Sequence, residues 1–191
     1  MRWWSQWGGK RLLDLALSLA GLAFFAVPIA WIAWKIWKDS GGPILFPQTR
    51  IGLGGKTFQI WKFRTMTGEG RVTRFGNLLR ATAMDELPQL VNILKGEMSF
   101  VGPRPLIPRE LQELDRVPQG QRRLGVRPGL TGLAQLYSEK IPTLSERLRW
   151  DILYVDRCSL WEDARILLKS LGITLRAAWE FPGPKLRPKD S

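Results

Sequence analysis

An uncharged stretch near the N-terminus constrains this chain more than any other feature. No Asp, Glu, Lys or Arg occurs between residues 15 and 34. A run of about 20 predominantly apolar residues is long enough for a helix to cross the hydrocarbon core of a bilayer. The sequence therefore predicts a membrane-associated segment, and a spanning helix is its simplest form.

The flanking charges and a central proline favour a second form of this segment. Basic residues stand on both sides of the run: Arg2, Lys10 and Arg11 before it, and Lys35 and Lys38 after it. Because basic residues favour the cytoplasmic side, both ends prefer the same side of the membrane. Pro28 removes a backbone hydrogen bond and bends or breaks a helix. A helix that breaks at Pro28 and re-enters one leaflet satisfies both observations, with a spanning helix, a signal peptide and a buried core helix as alternatives.

Aromatic residues crowd both ends of the same segment. Tryptophan occupies positions 3, 4, 7, 31, 34 and 37. Tryptophan side chains concentrate at membrane-water interfaces, because one end of the indole is apolar and the other carries an N–H donor. We therefore expect residues 1–40 to form a membrane anchor, with the remaining chain folded outside it.

A β-hairpin is predicted directly after the anchor. Residues 44 to 66 read as two short extended runs around a turn at Gly54 and Gly55. Lys62 and Arg64 end the second run with one residue between them, so an extended backbone would direct both cations to the same face. Such a pair suits a phosphate group, whereas a solvated strand edge is the ordinary alternative.

Composition restricts the chemistry that the chain can perform. The formal net charge is +12 and the pI is about 10.6, which indicates anionic partners such as acidic lipids, phosphorylated substrates or nucleic acid. Histidine is absent and Cys158 is the single cysteine. Ser-His-Asp triads, histidine metal sites and internal disulfides are therefore excluded. Catalysis would depend on carboxylates, Lys, Arg, Tyr or Cys158.

Two adjacent acids are the strongest candidates for that chemistry. Asp85 and Glu86 precede a run with helical spacing of apolar residues, namely Leu87, Leu90, Val91, Leu94 and Met98. Pro88 is tolerated if the helix begins just before it, so Asp85 is the expected N-cap and Gly96 the expected helix end. Asp85 and Glu86 could simply cap this helix. Alternatively, one carboxylate could attack phosphorus while the other holds Mg²⁺.

A longer motif favours the catalytic interpretation. Arg104 lies between two prolines, which restrict the backbone that carries its guanidinium. The stretch "MDELPQLVNILKGEMSFVGPRPLIP" resembles the signature of the bacterial sugar transferases, also called monotopic phosphoglycosyl transferases. Four further blocks resemble the family in the same order: "KRLLDLALS", "RIGLGGKTFQIWKFRTM", "VRPGLTGLAQL" and "WDILYVDRCSLWEDARILLKS". The resemblance therefore covers most of the chain.

The resemblance implies a reaction, a cofactor and a location. The family transfers a sugar-1-phosphate from a UDP-sugar to polyprenyl (undecaprenyl) phosphate and releases UMP, through a covalent aspartyl intermediate and with Mg²⁺. It implies that the chain acts at the cytoplasmic face of the bacterial inner membrane, in contact with membrane lipids, at the first membrane step of glycoconjugate biosynthesis. The basic surface would attract both anionic substrates, so no nucleic acid is needed to explain the charge.

The resemblance also implies roles for individual residues. Asp85 would be the nucleophile, and Glu86 would bind Mg²⁺. The other implied positions are Lys62, Arg64, Arg80 and Arg104 for the substrate phosphates, Arg127, Thr131 and Gln135 for the nucleotide, and Asp163 as a further metal ligand. Where the family usually has Ser-Pro at the break of its membrane helix, this chain has Val27-Pro28.

The expected fold is mainly α with a small β-hairpin. A re-entrant helix-break-helix at residues 1–40 would anchor a helical catalytic domain at residues 41–182, and residues 183–191 would form a flexible tail. The length predicts the minimal single-domain form of the family. Helices are predicted at residues 144 to 157 and 160 to 180, the second with a capping box at Ser159 and Glu162. Aromatic residues in this region predict contact with the membrane surface: Trp150, Trp161, Trp179 and Phe181.

A non-catalytic alternative stays open at this point. A basic, tryptophan-rich protein could bind acidic lipid or nucleic acid at the membrane surface without any chemistry. The sequence has no helix-turn-helix, zinc or ribonucleoprotein motif, which argues against nucleic acid. A passive lipid-binding protein has no need for Asp85, Glu86 and Arg104 together, so these residues favour the enzyme.

Overall fold

The computed structural model describes residues 2–138, 143–177 and 179, with side chains from residue 8 onward. Its helices are α1 (Arg2–Phe24), α2 (Ala26–Ser40), α3 (Arg74–Ala81), α4 (Gln89–Lys95), α5 (Leu133–Tyr137), α6 (Leu144–Arg157) and α7 (Leu160–Leu175). Its strands are β1 (Leu45–Ile51), β2 (Thr57–Phe63), β3 (Ser99–Val101) and β4 (Gly129–Thr131). The predicted mainly α fold with a β-hairpin is confirmed, and the short parallel pair of β3 and β4 was not predicted.

The N-terminal segment is a bent pair of helices. Among the described residues, no helix by itself is long and apolar enough to cross a membrane, whereas Gly8–Phe24 and Ala26–Ser40 meet that requirement together, bent by 60°. The break falls at Phe25, three residues before Pro28, which lies in the first turn of α2. This position follows from proline geometry, because the Pro28 ring excludes the carbonyl of Phe24, four residues earlier. The predicted break at Pro28 is therefore corrected to Phe25.

Polar side chains attach α1 to the rest of the protein. Lys10, Asp14 and Ser18 are buried and recur every four residues, so they share one face of the helix. The Asp14 carboxylate accepts hydrogen bonds from the Ser99 hydroxyl and the Phe100 amide, each at 3.0 Å. Arg11 donates to the carbonyls of Ile93 and Leu94 at the end of α4, at 2.5 and 2.7 Å. The "KRLLD" block therefore docks α1 onto α4 and β3.

Helix α2 packs on the same body of the protein as α1. Ile32 and Ile36 are buried against Phe63 of β2 and Leu79 of α3. At the end of α2, the Ser40 hydroxyl accepts a hydrogen bond from Arg64. Both arms of the bent pair thus contact the folded domain that follows them. The outward faces remain apolar, since Phe24, Val27, Trp31, Trp34 and Trp37 are all at least half exposed.

The predicted hairpin and turn are confirmed. Strands β1 and β2 pair antiparallel, with Leu45 opposite Phe63 and Ile51 opposite Thr57. Gly54 and Gly55 both have positive φ values in the turn, a conformation that glycine adopts without a steric penalty. The turn geometry therefore sets the register that carries Lys62 on β2 toward the centre of the molecule.

The C-terminal helices enclose a core around β3 and β4. This core contains Val101, Leu136, Tyr154 and Ile166. Gly102 and Gly129 lie against each other so closely that a Cβ on Gly129 would stand 2.0 Å from the Gly102 nitrogen. Ser159 caps α7 by accepting a hydrogen bond from the Glu162 amide at 3.2 Å, which confirms one half of the predicted capping box; the Glu162 carboxylate accepts from Arg165 instead. The helix ends at Leu175 rather than near residue 180, so the prediction was too long.

One face of α7 is apolar and open to the surroundings. Trp161, Leu168, Leu171 and Leu175 are each more than half exposed and share this face. Trp150 lies elsewhere, stacked on Tyr137, and the Trp179 indole donates to the Thr174 hydroxyl at 2.9 Å. Of the predicted interfacial aromatics in the described part of this region, Trp161 alone is strongly exposed. The described residues do not include Phe181 or the tail at residues 183–191, and the described side chains do not include those at positions 3, 4 and 7.

Candidate active site

The adjacent acids lie in a short 3₁₀ turn rather than at a helix cap. Met84–Glu86 forms this turn, and Ala83 precedes it in the left-handed conformation with φ 56°. Pro88, not Asp85, is the N-cap of α4. Ala83 reverses the chain direction immediately after α3, which brings Asp85 and Glu86 against α3 and β2. The predicted N-cap role of Asp85 is therefore wrong, while Gly96 does end α4 as expected.

Glu86 is held by two of the predicted cations. Lys62 of β2 donates a hydrogen bond to Glu86 Oε1, and Arg104 Nη1 lies 3.9 Å from the same oxygen. Lys62 reaches Glu86 because its position on β2 faces the 3₁₀ turn, and Arg104 arrives from the loop after β3. The structure thus brings together three residues that are separated in the sequence and were predicted to act on one diphosphate.

The Asp85 carboxylate has fewer direct partners than the Glu86 carboxylate. Asp85 is 8% exposed, and its carboxylate has no hydrogen-bond or ion-pair partner among the described side chains. Burial is the largest cause that raises the pKa of Asp85, and the negative charge of Glu86 also raises it; against the opposing effect of Lys62, Arg80 and Arg104, the pKa is about 6. Arg80, whose Nε donates to the Thr65 hydroxyl at 2.9 Å, is therefore part of this electrostatic environment.

The pKa of Glu86 moves in the opposite direction. Burial alone would raise it, but the charges of Lys62 and Arg104 and the hydrogen bond from Lys62 outweigh that effect and hold the pKa below its ordinary value. Two neighbouring carboxyls whose pKa values are driven apart are typical of sites that assign them different roles. Glu86 stays ionised throughout the neutral range, whereas Asp85 is the more basic and hence the more nucleophilic carboxylate.

A polar cleft opens beside Glu86. Its lining consists of Arg50, Ile60, Lys62, Glu86, Gln89, Arg104, Pro105, Gly129 and Leu130. The space among these residues is about 220 Å³, including the open solvent at the mouth of the cleft. Three cations face a single carboxylate here, so the cleft suits an anionic group such as a diphosphate. Asp85 is not part of the lining, although three cations beside it act on its pKa.

Arg50 and Gln89 are cleft residues that the sequence analysis missed. Gln89 is 2% exposed, and its side-chain nitrogen has no hydrogen-bond partner. Arg50 donates to the Pro105 carbonyl at 3.1 Å and to Gln48 at 2.5 Å, while its buried Nε has no partner. Both residues stand inside quoted family blocks, but neither spacing nor residue type distinguished them from ordinary strand and helix positions.

Arg64 and Asp163 were predicted to join this site, and the structure does not bring them to it. Arg64 follows the end of β2 and turns toward Ser40 and Gly42 at the end of α2. Asp163 is buried between helices, where it pairs with Lys10 and accepts a hydrogen bond from the Tyr154 hydroxyl at 2.7 Å. These contacts give Asp163 a structural role and leave its predicted role as a metal ligand unsupported.

The three predicted nucleotide contacts do not line the cleft either. Arg127 donates to the Gly96 carbonyl at 2.9 Å, and the Thr131 hydroxyl lies 2.6 Å from the Ser170 hydroxyl. Gln135 has a buried amide without a partner and contacts the region of Gly132. The same sequence block reaches the cleft through Gly129 and Leu130 instead. A role of the three residues in nucleotide binding stays a prediction.

A buried ion pair holds the main chain at Arg104 in place. Arg123 is 4% exposed and donates to the main-chain carbonyl of Arg104 at 2.5 Å. Its guanidinium also lies 3.1 Å from the Asp151 carboxylate on α6. This buried pair was not predicted, because Arg123 and Asp151 occupy unremarkable positions in the sequence. It fixes the backbone on which the Arg104 guanidinium is presented to Glu86.

The carboxylate oxygens at the cleft fit a magnesium site only if oxygen atoms of a substrate complete the set of metal ligands. Among the described residues, no three acidic or cysteine side chains are grouped so that they could enclose a metal. Mg²⁺ is commonly held by one or two protein carboxylates together with substrate phosphates and water. Both cations that contact Glu86 do so at Oε1, so Oε2 is the oxygen without these contacts. Glu86 and Asp85 are the residues that fit such a partial site.

Comparison with known proteins identifies close relatives of the whole described chain. The family model "Bacterial sugar transferase" matches residues 4–177. The UDP-glucose:undecaprenyl-phosphate glucose-1-phosphate transferase of Caulobacter vibrioides is 42% identical over 85% of this chain and 68% of its own. The enzyme with the same description from Klebsiella pneumoniae is 36% identical over 83% of this chain and 38% of its own.

A relative that uses a different sugar is nearly as similar. The UDP-N-acetylgalactosamine-undecaprenyl-phosphate N-acetylgalactosaminephosphotransferase of Aeromonas hydrophila is 35% identical over 85% of this chain. The chain spans 42% of the length of the Aeromonas protein and 38% of the length of the Klebsiella protein, which is about two fifths of each. The prediction made from the motifs is confirmed: the chain belongs to the bacterial sugar transferase family.

Proposed function

We propose that this chain is a phosphoglycosyl transferase that moves a sugar-1-phosphate from a UDP-sugar to polyprenyl phosphate and releases UMP. The observation that carries the proposal is the pair Asp85 and Glu86, whose pKa values are driven apart beside a cleft lined by three cations. Membership in a family whose relatives are named for this reaction supports the same conclusion.

The first proposed step forms a covalent intermediate on Asp85. An Asp85 carboxylate oxygen attacks the phosphorus that bears the sugar, and an acyl phosphate bond forms. The bond from that phosphorus to the bridging oxygen breaks, and UMP leaves with the bonding electron pair. Lys62 and Arg104 are positioned beside Glu86 to stabilise negative charge on the diphosphate as this bond breaks.

The second proposed step returns Asp85 to its initial state. A phosphate oxygen of polyprenyl phosphate attacks the same phosphorus and forms a new diphosphate bond. The acyl phosphate bond breaks, which regenerates the Asp85 carboxylate and yields polyprenyl diphosphate sugar. No proton donor with a neutral pKa is needed in either step, which agrees with a chain that contains no histidine.

Magnesium is the proposed cofactor, held by Glu86 with Asp85 as its neighbour. When bound, the ion would neutralise charge on the substrate diphosphate. Lys62 and Arg104 already keep Glu86 ionised, so this carboxylate is available as a ligand across the neutral pH range.

We propose that the bent helix pair enters one leaflet and returns. Lys10 and Ser40, near the two ends of the pair, both contact the catalytic domain, which lies on one side of the membrane. An arm the length of Gly8–Phe24 is roughly 25 Å long at 1.5 Å per residue. If both arms of the 60° bend are inclined equally to the membrane plane, the break between the helices lies roughly 13 Å deeper than their outer ends. This depth is within one leaflet of a hydrocarbon core of about 30 Å.

This arrangement would place the cleft at the cytoplasmic face of the bacterial inner membrane. The exposed face of α7, with Trp161, Leu168, Leu171 and Leu175, would lie along the same surface. An anchored cleft at headgroup level can receive a lipid phosphate from the membrane and a soluble nucleotide sugar from the cytoplasm. The basic composition supports attraction of both anions.

The deciding experiment measures UMP release by the full chain in nanodiscs. UDP-glucose, UDP-galactose and UDP-N-acetylgalactosamine are supplied separately with undecaprenyl phosphate and Mg²⁺. We expect release with at least one sugar and its loss in Asp85→Asn. Denaturing mass spectrometry of wild type mixed with the active sugar and no lipid should detect the added sugar phosphate, and the adduct should be absent from Asp85→Asn.

The matched control is Asp39→Asn, which removes an exposed carboxylate in α2 that pairs with Lys35. It should release UMP at the wild-type rate. If no donor yields UMP, the transferase proposal fails and the non-catalytic lipid-binding alternative gains support. If Asp85→Asn retains full activity, Asp85 is not the nucleophile.

A further inference from the structure

Two cleft residues have polar atoms that the protein leaves without partners. The Gln89 side-chain nitrogen and the Arg50 Nε are both buried and make no hydrogen bond. Both side chains line the cleft that also contains Glu86. A buried donor without a partner loses its hydration and gains nothing in return, which destabilises the folded protein. Natural proteins contain few such groups, and those that persist call for a functional explanation.

Arg50 is also a cation without a direct ion-pair partner among the described residues. No carboxylate among the described residues forms an ion pair with it, and its hydrogen bonds go to the Pro105 carbonyl and the Gln48 amide. Burial, together with the positive charge of Arg104, lowers the pKa of Arg50 to about 10, against the opposing effect of Glu110 and Glu86. A half-buried guanidinium with neutral partners is stabilised when an anion enters beside it.

The unpartnered donors and the charge of the cleft point to the same type of ligand. Arg50, Lys62 and Arg104 offer N–H donors, Gln89 adds a neutral N–H donor, and Glu86 is the one acid in the lining. A ligand with several anionic oxygens would satisfy all of these donors at once.

We infer that Gln89 and Arg50 bind the diphosphate oxygens of the nucleotide donor and thereby complete the anion site formed by Lys62 and Arg104. The identity of the donor rests on the proposed function, whereas the existence of a diphosphate site does not. Gln89 supplies a hydrogen bond without adding charge, so it can approach an oxygen between the cations without repelling them. Arg50 supplies charge from the side of the hairpin.

The variant Gln89→Met separates a binding role from a structural one. Methionine has a similar volume and no polar atom that must be satisfied. If Gln89 serves the ligand, its replacement leaves the thermal midpoint of the unliganded protein unchanged or raises it, because an unsatisfied group disappears. If Gln89 serves the fold, the midpoint falls. Gln59→Met is the control, since Gln59 is exposed on β2 and its side-chain amide donates to the Thr49 hydroxyl.

The experiment titrates the full chain in nanodiscs with UDP and, separately, with inorganic pyrophosphate. Isothermal calorimetry gives the Kd, and thermal unfolding without ligand gives the midpoint. We expect Gln89→Met and Arg50→Gln each to weaken both ligands by roughly 10- to 100-fold, as loss of a hydrogen bond to a charged group predicts. Gln59→Met should match wild type in both measurements.

Specific outcomes would overturn the inference. Wild-type affinity in Gln89→Met, or failure of wild type to bind either UDP or pyrophosphate, excludes the diphosphate role. Weaker binding of UDP with unchanged binding of pyrophosphate would assign Gln89 to the nucleoside instead. Turnover assays on wild type test the proposed function separately, because pyrophosphate binding that depends on Gln89 and Arg50 stands even if no UDP-sugar is turned over.

Discussion

Lys10 in α1 and Asp163 in α7 form a buried ion pair, although 153 positions of sequence separate them. The Lys10 ammonium also donates to the Val101 carbonyl at 2.9 Å, and the Tyr154 hydroxyl donates to Asp163 at 2.7 Å. The pair therefore joins the N-terminal bent helix pair to the strand and helices that enclose the C-terminal core. Arg11 extends the junction to the end of α4, the helix that follows the two catalytic candidates.

Removal of one partner from this pair should be costly for folding. Lys10→Met leaves the Asp163 carboxylate buried without its cation, so we expect the free energy of unfolding to fall by about 3–5 kcal/mol. The double variant Lys10→Met with Asp163→Leu should recover most of this loss, because two apolar side chains need no pairing. Denaturant unfolding in detergent micelles measures the effect. Equal losses in the single and double variants would contradict it.

The proposed nucleophile should impose an acid limit on the reaction. Because the pKa of Asp85 is about 6, the ionised form decreases as the pH falls below that value, and the rate should fall tenfold per pH unit. Glu86 does not titrate in this range, since Lys62 and Arg104 hold its pKa low. The measurement is single-turnover UMP release without polyprenyl phosphate, which removes the titration of the lipid phosphate. A rate that is constant from pH 5 to 8 would contradict the assignment.

The same carboxyl should reduce stability at neutral pH. The pKa of Asp85 is raised in the folded state, so its stabilising contribution is fully present below about pH 4 and is lost as the pH rises through about 6. Asp85→Asn should therefore unfold with a free energy about 1–3 kcal/mol higher than wild type at pH 7.5, with little difference at pH 4. The pKa of Asp151 is also about 6, but its effect cancels in this comparison. Lower stability of Asp85→Asn at pH 7.5 would argue against the raised pKa.

The contact between Gly102 and Gly129 should tolerate no side chain. A Cβ on Gly129 would stand 2.0 Å from the Gly102 nitrogen and 2.5 Å from the Thr131 carbonyl oxygen, both backbone atoms that cannot move aside alone. We expect Gly129→Ala to lower the unfolding free energy by about 1–3 kcal/mol or more and to impair UDP binding, since Gly129 lines the cleft. Gly125→Ala is the control because no atom lies within 4 Å of its added Cβ. Similar results for the two variants would refute the steric argument.

Re-entry of the anchor predicts that both of its ends face the cytoplasm. Single cysteines at Gly8 and Asp39, introduced with Cys158→Ser, should react with a membrane-impermeant maleimide in inverted vesicles and remain unlabelled in intact cells. A cysteine at Phe24, beside the break and 78% exposed in the isolated chain, should stay unreactive in both preparations because hydrocarbon surrounds it. Labelling of Gly8→Cys and Asp39→Cys from opposite sides would establish a spanning segment instead.

Several elements followed from local sequence because their causes are local. Gly54 and Gly55 provide the positive φ values of the hairpin turn, and Ser159 caps α7 through an amide three residues later. The proline at position 28 excludes a continuous helix, although the break itself appears at Phe25. The association of Lys62, Glu86 and Arg104 was anticipated only through the resemblance to the family. Local patterns predicted the secondary-structure element that carries each of these residues but not that their side chains lie close together.

The sequence alone determined the family, the apolar N-terminal helices, the hairpin and the candidate acids, because these depend on residue types and on interactions within a few positions. Only the tertiary structure decided the partners of the charged residues. Arg50 and Gln89 became cleft residues, Asp163 became the partner of Lys10, and Arg64 turned away toward Ser40. A buried charge takes whichever compensating group the packed chain brings within a few ångströms, and that pairing depends on contacts between elements rather than on spacing along the sequence.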